Sequence, residues 1–430
     1  MKHLDKLTGR LGLRPLMGRY RQLWLRAPRD LPLPTVSDFA EIRLLIDPDG
    51  SRMPGITALY ERALADPETR RLLAFLVWAL FAEERCWRQE AYDLDLDAPA
   101  WGPDLGALAL LVLIAGMAGP TGSYAASLGR PIPDEIRRLP FGWLGEEIGR
   151  FYRTEGRLGV GNFGWQLVTA SMTLLRVGSH NFNLGSWSND YELWRSPSSG
   201  RALVLPLPGL DFTPTGARLP GDETTTGSFR SERRLDGHLL HTHRLFSSGF
   251  ADPEPITLDT RDWERELGAG DITLAFHIPR EDRYTPDRVK ADFRAALSAY
   301  ASWFPELEIR AIDCYSWLFS PLLGLFFDAA ESRVVAMQQE CYLLAPLAGD
   351  ESWRTFVFDN FSGDLRLAPR DNRLRRRALD WLDQGGRLYD GQMVLPVVDI
   401  DSERPFAALY EIDRVRARHL EAGLDPRRPL

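Results

Sequence analysis

Over the first 190 residues, apolar side chains recur at three- and four-residue spacing, the period of helices packed on one face. The pattern predicts helices over 42–46, 53–65 and 69–90, the last carrying Leu72, Leu73, Phe75, Leu76, Leu80 and Phe81. The Asp66-Pro67 pair stops the second of these. An acidic, proline-bounded connector follows at 93–103. The run 105–119 is apolar throughout, which predicts a buried helix ending at Gly119-Pro120. A helix with glycine interruptions is expected over 132–153, and 165–177 fits a helix or a strand. Between 184 and 270 the pattern changes to short apolar stretches at 191–194, 202–207, 228–234 and 239–246. Pro, Gly, Ser and Thr clusters separate them, as in strands and turns.

From Asp271 the two periods alternate. In residues 272–278, Leu274, Phe276 and Ile278 share one face while Thr273, Ala275 and His277 share the other, the period of a strand. Thr285 as N-cap and Pro286 at the first helical position open a helix over 286–303. Val289, Phe293, Leu297, Tyr300 and Phe304 form its apolar stripe. Further elements are expected as strand 309–316, helix 320–328, strands 333–345 and 353–359, helix 371–383 and strand 391–398. The order predicts an α+β fold, a helical N-terminal part followed by a mixed sheet flanked by helices. Three domain segments are expected: 1–183, helical; 184–270, strand-rich and completing the sheet; and 271–430.

Composition narrows the function. A formal charge of -8 argues against nucleic acid as a partner. The basic run 373–377 reads as the outer face of a helix. The 105–119 run falls short of the roughly 20 residues that span a bilayer, so no membrane span is expected. Cys86, Cys314 and Cys341 are too few and too scattered for a disulfide framework or metal-type spacing. With no signal-peptide core at the N-terminus, a cytoplasmic location is expected.

Several clusters invite a chemical reading. The glycine-rich 156–164 stretch lacks the spacing of a dinucleotide loop and fits a tight turn. His238, His241 and His243, with Asp236 nearby, have the residue types of a zinc site, yet fit an exposed hairpin equally well. His277 stands opposite its strand's apolar stripe, where it has the chemistry of a general base or of a hydrogen-bonded structural residue. Glu340 and Tyr342 would share a face of the 333–345 strand, as a proton relay and an acid for a leaving thiolate or as cross-strand pairs. Cys314-Tyr-Ser316-Trp317 ends the next strand without the partners of a nucleophile triad.

Taken in order, a set of motifs resembles a bacterial acyltransferase family with a helical N-terminal domain and a GNAT-like C-terminal domain. The resemblance covers about 70–398. It rests on His277-Ile-Pro279, Thr285-Pro286, Trp303-Phe304-Pro305-Glu306, Cys314-x-Ser316-Trp317-Leu318 and Pro321. Ser332, Gln338, Leu374-Arg375 and Gly385-Gly386 fit the same pattern. In the helical part Gly159-x-Gly161-x-Phe163-Gly164-Trp165, Leu174-Leu175-Arg176-x-Gly178 and Phe182 match. The resemblance implies that the pantetheine arm of an acyl-CoA enters between diverging strands 271–279 and 309–316, with pyrophosphate facing 279–285. Ile278, Arg280, Arg283, Thr285 and Cys314 would then bind the cofactor.

The resemblance further implies transfer of an acyl group from acyl-CoA or acetyl-CoA to an amine or similar small acceptor, with no metal. His277 or Glu340 would take the amine proton, and Ser316 or Tyr342 would assist the thiolate. The family tends to have glycines after His-Ile-Pro, whereas this chain has Arg280-Glu-Asp-Arg283, with two carboxylates facing the phosphates. That departure leaves a non-catalytic, ligand- or protein-binding GNAT-like scaffold as the alternative. A metal-dependent hydrolase using the three histidines is the third.

Overall fold

The apolar periodicity of the N-terminal part does fold into helices. The computed structural model describes residues 19–83, 107–221, 223, 225–279, 284–345 and 348–428. Cys86, Arg280, Arg283, the end of the 69–90 helix and the 93–103 connector lie outside the described residues. The chain divides into two compact units, Met1–Ser186 with Ser298–Leu307, and Trp187–Leu297 with Glu308–Leu430.

The first unit holds α1 (Arg19–Arg26), α2 (Ala40–Ile46), α3 (Met53–Ala65), α4 (Pro67–Val77), α5 (Leu108–Met117), α6 (Ser123–Leu128), α7 (Asp134–Glu155) and α8 (Phe163–Ala170). It also holds an antiparallel hairpin, β1 (Leu175–Val177) and β2 (His180–Ser186). Asp66 begins α4: its Oδ2 accepts the Thr69 N–H at 3.0 Å, and Pro67 follows where no N–H is needed. Every residue of α5 is buried, as expected of a helix that is apolar all round. No described helix is long and apolar enough to cross a membrane. The hairpin corrects the expectation of helix up to residue 190. Residues 165–177 divide between the two readings, with α8 ending at Ala170 and β1 starting at Leu175.

The second unit begins with β3 (Tyr191–Arg195), β4 (Ala202–Pro206), β5 (Asp211–Phe212), β6 (Phe229–Arg230), β7 (Arg233–Asp236), β8 (Leu239–Thr242), β9 (Ile256–Asp259) and β10 (Glu264–Leu267). These form small antiparallel sheets of their own. They do not complete the main sheet, which the 184–270 segment was expected to do. Next come β11 (Ile272–His277), α9 (Pro286–Trp303), β12 (Ile309–Tyr315), α10 (Pro321–Phe326), α11 (Arg333–Gln338), β13 (Tyr342–Leu344), α12 (Arg373–Asp383), β14 (Gln392–Pro396) and α13 (Ile412–Glu421). In the main sheet of this unit the neighbours run β11, β12, β14, β13. β11 and β12 are parallel, as a helical crossover requires, and the remaining pairs are antiparallel. One helical unit and one unit with a mixed sheet flanked by helices make this an α+β fold.

Two expected strands are not strands. Residues 333–338 are helical, begun by Ser332, whose Oγ accepts the Val335 N–H, so only 342–344 of the 333–345 segment is extended. Residues 353–357 form a π-helical turn, with the Trp353 indole donating to the Tyr389 carbonyl at 2.9 Å. The first segment carries Val334, Val335 and Leu343–Leu344, and the second Trp353, Phe356, Val357 and Phe358. Side chains that fill a core suit either conformation, so composition alone favoured the wrong one.

Close approach of α7 to α2 requires one particular glycine. A Cβ at Gly145 would stand 2.1 Å from the Ile46 carbonyl oxygen, whereas one at Gly142, a turn earlier, would meet nothing within 4 Å. Gly145→Ala should therefore destabilise the protein by about 2 kcal/mol through overpacking against backbone. Gly142→Ala should be neutral or stabilise by up to about 1 kcal/mol. Urea unfolding of the two variants checks the contrast, and equal effects would mean that the backbone contact is not limiting.

Candidate active site

Strands β11 and β12 are paired over only part of their length. The register runs from Ile272↔Ile309 to Ala275↔Asp313, while β11 continues through His277 and β12 through Tyr315. Beyond Ala275 no ladder pairing joins the two strands, and this unpaired stretch is the candidate gap. The causes lie on either side of it. Phe276 packs edge-on against Phe293 of α9, ring centroids 4.8 Å apart, which holds the end of β11 to the helix. The end of β12 follows β14 instead: Cys314 pairs with Met393, Tyr315 with Gln392, and the Ser316 N–H donates to the Gly391 carbonyl at 2.9 Å. Gly391 allows this contact, because a Cβ there would lie 2.0 Å from the Ser320 nitrogen.

Strand alternation then fixes what borders the gap. Since Ser316 directs its N–H toward β14, Tyr315 directs its N–H and C=O toward β11. The register also sorts the side chains by face. Thr273, Ala275 and His277 share a face with Ala311, Asp313 and Tyr315, and Phe276 and Cys314 belong to the opposite one, where α9 packs.

His277, Asp313 and Tyr284 are half-buried, while Tyr315 on the same face is exposed. Burial lowers the His277 pKa to about 4, so its imidazole is neutral at working pH. Burial raises the Asp313 carboxyl to about 6 against the opposing effect of a hydrogen bond with Thr273. Asp313 Oδ1 has no hydrogen-bond partner among the described residues. The same holds for the Tyr284 hydroxyl, one residue before Thr285 and the helix start. Burial, reinforced by the Cys341 and Cys314 thiols beside it, pushes the Tyr284 pKa well above that of an ordinary phenol. Tyr284 thus neighbours the unpaired end of β12 and remains a neutral donor.

The sequence-predicted residues separate into two groups. His277 ends β11, Cys314 lies on the opposite face of β12, and Thr285 precedes α9, its carbonyl accepting the first helical hydrogen bond from Val289 N at 3.0 Å. Ile278 follows the last residue of β11 and is half-buried. Cys314 is buried; burial, then Asp313 and Cys341, raises its pKa, so it is an inert thiol.

The other residues have structural partners. Ser316 Oγ accepts the Leu318 N–H at 3.3 Å and caps a short 3₁₀ turn. The Tyr342 hydroxyl donates to the Leu245 carbonyl. Glu340 is not on a strand face with Tyr342. It lies in the turn after α11, where its Oε2 accepts from Lys290 Nζ at 2.9 Å and from the Arg404 N–H at 3.0 Å. The three histidines do not converge either. His241 Nδ1 meets Thr257 Oγ1 at 3.0 Å, His243 packs on Phe229, and His238 Nε2 is 3.9 Å from Asp259. No group of three or more His, Cys, Asp or Glu among the described residues could hold a metal ion.

Sequence reading missed Asp313 and Tyr284. The first had a signal: it is the only acid within the alternating 309–315 segment, on the face that continues from Thr273 to His277 across the pair. Tyr284 gave none, because its place depends on how the chain enters α9.

The Lys290–Glu340 pair separates a structural role from a catalytic one. Its side chains are 9% and 10% exposed. Removing one charge from such a pair costs about 3 kcal/mol because the other is left buried. Glu340→Gln should show that loss in urea unfolding, and Lys290→Met with Glu340→Leu should recover most of it. A stable Glu340→Gln protein would refute the structural assignment.

The same fold occurs in solved acyltransferase structures. One, in complex with decanoyl-CoA and teicoplanin, aligns with a TM-score of 0.51 at 16% identity over 91% of this chain and 99% of that one. A second, in complex with CoA and 10C-teicoplanin, gives 0.53 at 16% identity over the same shares. A mutant acyltransferase bound to octanoyl-CoA gives 0.52 at 16% identity, over 91% of this chain and 98% of that one. No curated protein sequence matches the chain. The family model described as the GNAT-like C-terminal domain matches residues 174–395, more than half of the sequence and the whole β11–α9–β12 region, so the chain belongs to that family.

Proposed function

We propose that the protein transfers an acyl group from acyl-CoA to the nitrogen of a small amine acceptor. The observation that carries the reading is the β11–β12 ladder ending at Ala275↔Asp313 while both strands continue. A thiol-ended arm suits this gap, and backbone groups there are directed at it. The similar solved acyltransferases hold CoA or acyl-CoA, which supports the same donor class here. Ile278 and Thr285 would border the pantetheine and the phosphates. Arg280 and Arg283 would supply the charge that the missing glycines do not. An enzyme that consumes acyl-CoA fits a cytoplasmic location.

Each residue then has a task. The Tyr315 N–H polarises the thioester oxygen, stabilising the oxyanion as the amine nitrogen bonds to the carbonyl carbon. Asp313, ionised above pH 6, takes the proton that the nitrogen loses. His277 stays neutral and lines the same face. The C–S bond breaks, and the Tyr284 hydroxyl donates a hydrogen bond to the departing thiolate. Holding both reactants in one cleft supplies much of the acceleration.

A second reading is favoured by one feature, the Glu281-Asp282 pair where phosphate would bind. A scaffold that binds no CoA would carry such residues at no cost. Calorimetry with acetyl-, octanoyl- and decanoyl-CoA decides between them. Saturable binding that weakens at least about tenfold in Arg280→Ala/Arg283→Ala is expected. Absence of binding at millimolar ligand would leave the scaffold.

The pH profile tests Asp313. Its raised pKa means that kcat/KM for acylation, read as thiol release, should climb as pH rises through about 6 and then level. Asp313→Asn should abolish that limb and lower kcat about 100-fold while acyl-CoA still binds. An unchanged limb would assign the proton transfer to another group.

A further inference from the structure

A cleft of about 1010 Å³ opens in the first unit, and acyl transfer as derived above does not use it. The glycine-rich 156–164 turn builds one wall. Its Gly161 N–H donates to Glu147 Oε1 at 2.9 Å, and Gly159 lies so close to the Phe151 ring that a Cβ would stand 2.5 Å away. Asn162 then turns left-handed, with φ 46°, and caps α8, its Oδ1 accepting the Trp165 N–H at 3.3 Å. That turn sets Asn162, Trp165 and Gln166 along one side of the cleft, facing Trp143 and Arg153 of α7.

The side chains point to a particular ligand chemistry. Gln166 is 5% exposed, lines the cleft, and its Oε1 has no hydrogen-bond partner among the described residues. A buried carbonyl oxygen without a donor is costly, so it asks for an O–H or N–H from a ligand. With their oxygens already accepting from Trp165 N–H and Arg176 Nε, Asn162 and Asn181 present their NH₂ groups as donors. Two indoles supply broad apolar surface beside these amides.

Charge excludes a phosphate-rich ligand. Arg150 is held by Glu147 in two hydrogen bonds of 2.8 and 2.6 Å, and Arg52 donates to the Gly145 carbonyl and lies 3.5 Å from Asp47. Arg153 and Glu146, of opposite sign, are the lining charges without an ion pair among the described residues. Arg176, which donates to Asn181 Oδ1 at 2.9 Å and lies 5.8 Å from the Trp143 ring centroid, adds one positive charge beside the cleft, still short of the concentrated positive cradle that phosphates need.

We infer that this cleft binds an uncharged, polyhydroxylated ring of the sugar class. Its C–H face would rest on Trp143 or Trp165, and its hydroxyls would donate to Gln166 and accept from Asn162 and Asn181. The inference uses residues of the first unit alone and rests on no step of acyl transfer.

The test is titration of the full chain with glucose, N-acetylglucosamine, cellobiose and, separately, AMP, followed by tryptophan fluorescence and saturation-transfer NMR. At least one saccharide should saturate with a Kd of about 1 mM or tighter. Trp143→Ala and Gln166→Leu should each weaken it at least about tenfold without moving the melting temperature by more than a few degrees. If Gln166→Leu fails to fold, the half-exposed Trp143 decides alone. No saturable saccharide signal in the native protein would overturn the inference. So would AMP binding while the sugars are silent, or sugar binding unaffected by Trp143→Ala.

Discussion

Two parallel strands that stop exchanging hydrogen bonds leave backbone donors and acceptors facing a gap, and buried groups of that kind must find partners. In this protein the interruption is enforced from both sides. Phe276 holds β11 to Phe293 on α9, and the Ser316–Gly391 hydrogen bond carries β12 toward β14. Neither anchor can give way cheaply. One is a buried aromatic pair, and the other depends on a glycine with no room for a Cβ. The end of the ladder therefore coincides with packing contacts on both flanks.

The side chains around the gap pay a stability cost that a purely structural sheet would avoid. Asp313 Oδ1 and the Tyr284 hydroxyl lack partners among the described residues, and Asp313 and His277 are both shifted toward their neutral forms by burial. Elsewhere in the same unit Glu340 is satisfied by Lys290 and Arg404, Tyr342 by Leu245 and Trp353 by Tyr389, while Ser248 Oγ, Ser320 Oγ, Gln338 Oε1 and Asp390 Oδ1 also lack partners among the described residues.

How much of this was legible in the sequence follows from the range of each interaction. The β11–α9–β12 unit was readable because its signals are local: period-two alternation, Thr285-Pro286 at the helix start, and an apolar stripe at helical spacing. Residues 333–345 were misread because Val334 and Val335 suit a strand, while the deciding Ser332 cap acts over only three residues. Glu340 looked catalytic because its partner, Lys290, is fifty residues away on a different element, beyond any local pattern. The gap itself was expected from family resemblance, and its cause, the Gly391 contact, joins segments with no shared periodicity. Asp313 was visible but unread, an acid within an otherwise alternating strand.

Burial acts on the two titratable groups of the β11–β12 face in opposite senses of pKa but the same sense of charge. It lowers His277 to about 4 and raises Asp313 to about 6, so between those values both are neutral. Above pH 6 the carboxylate alone is charged, and the imidazole does not compensate it. Above pH 6 Asp313 is therefore a half-buried negative charge with no ion-pair partner among the described residues, and Asp390, which accepts from the Tyr315 hydroxyl at 3.2 Å, lies beside the same face. Such a charge is stabilised by an incoming ammonium far more than by a neutral alcohol. In the reaction proposed above, the same carboxylate would be the base that deprotonates that ammonium, so the proposal and the charge on this face agree on an amine acceptor.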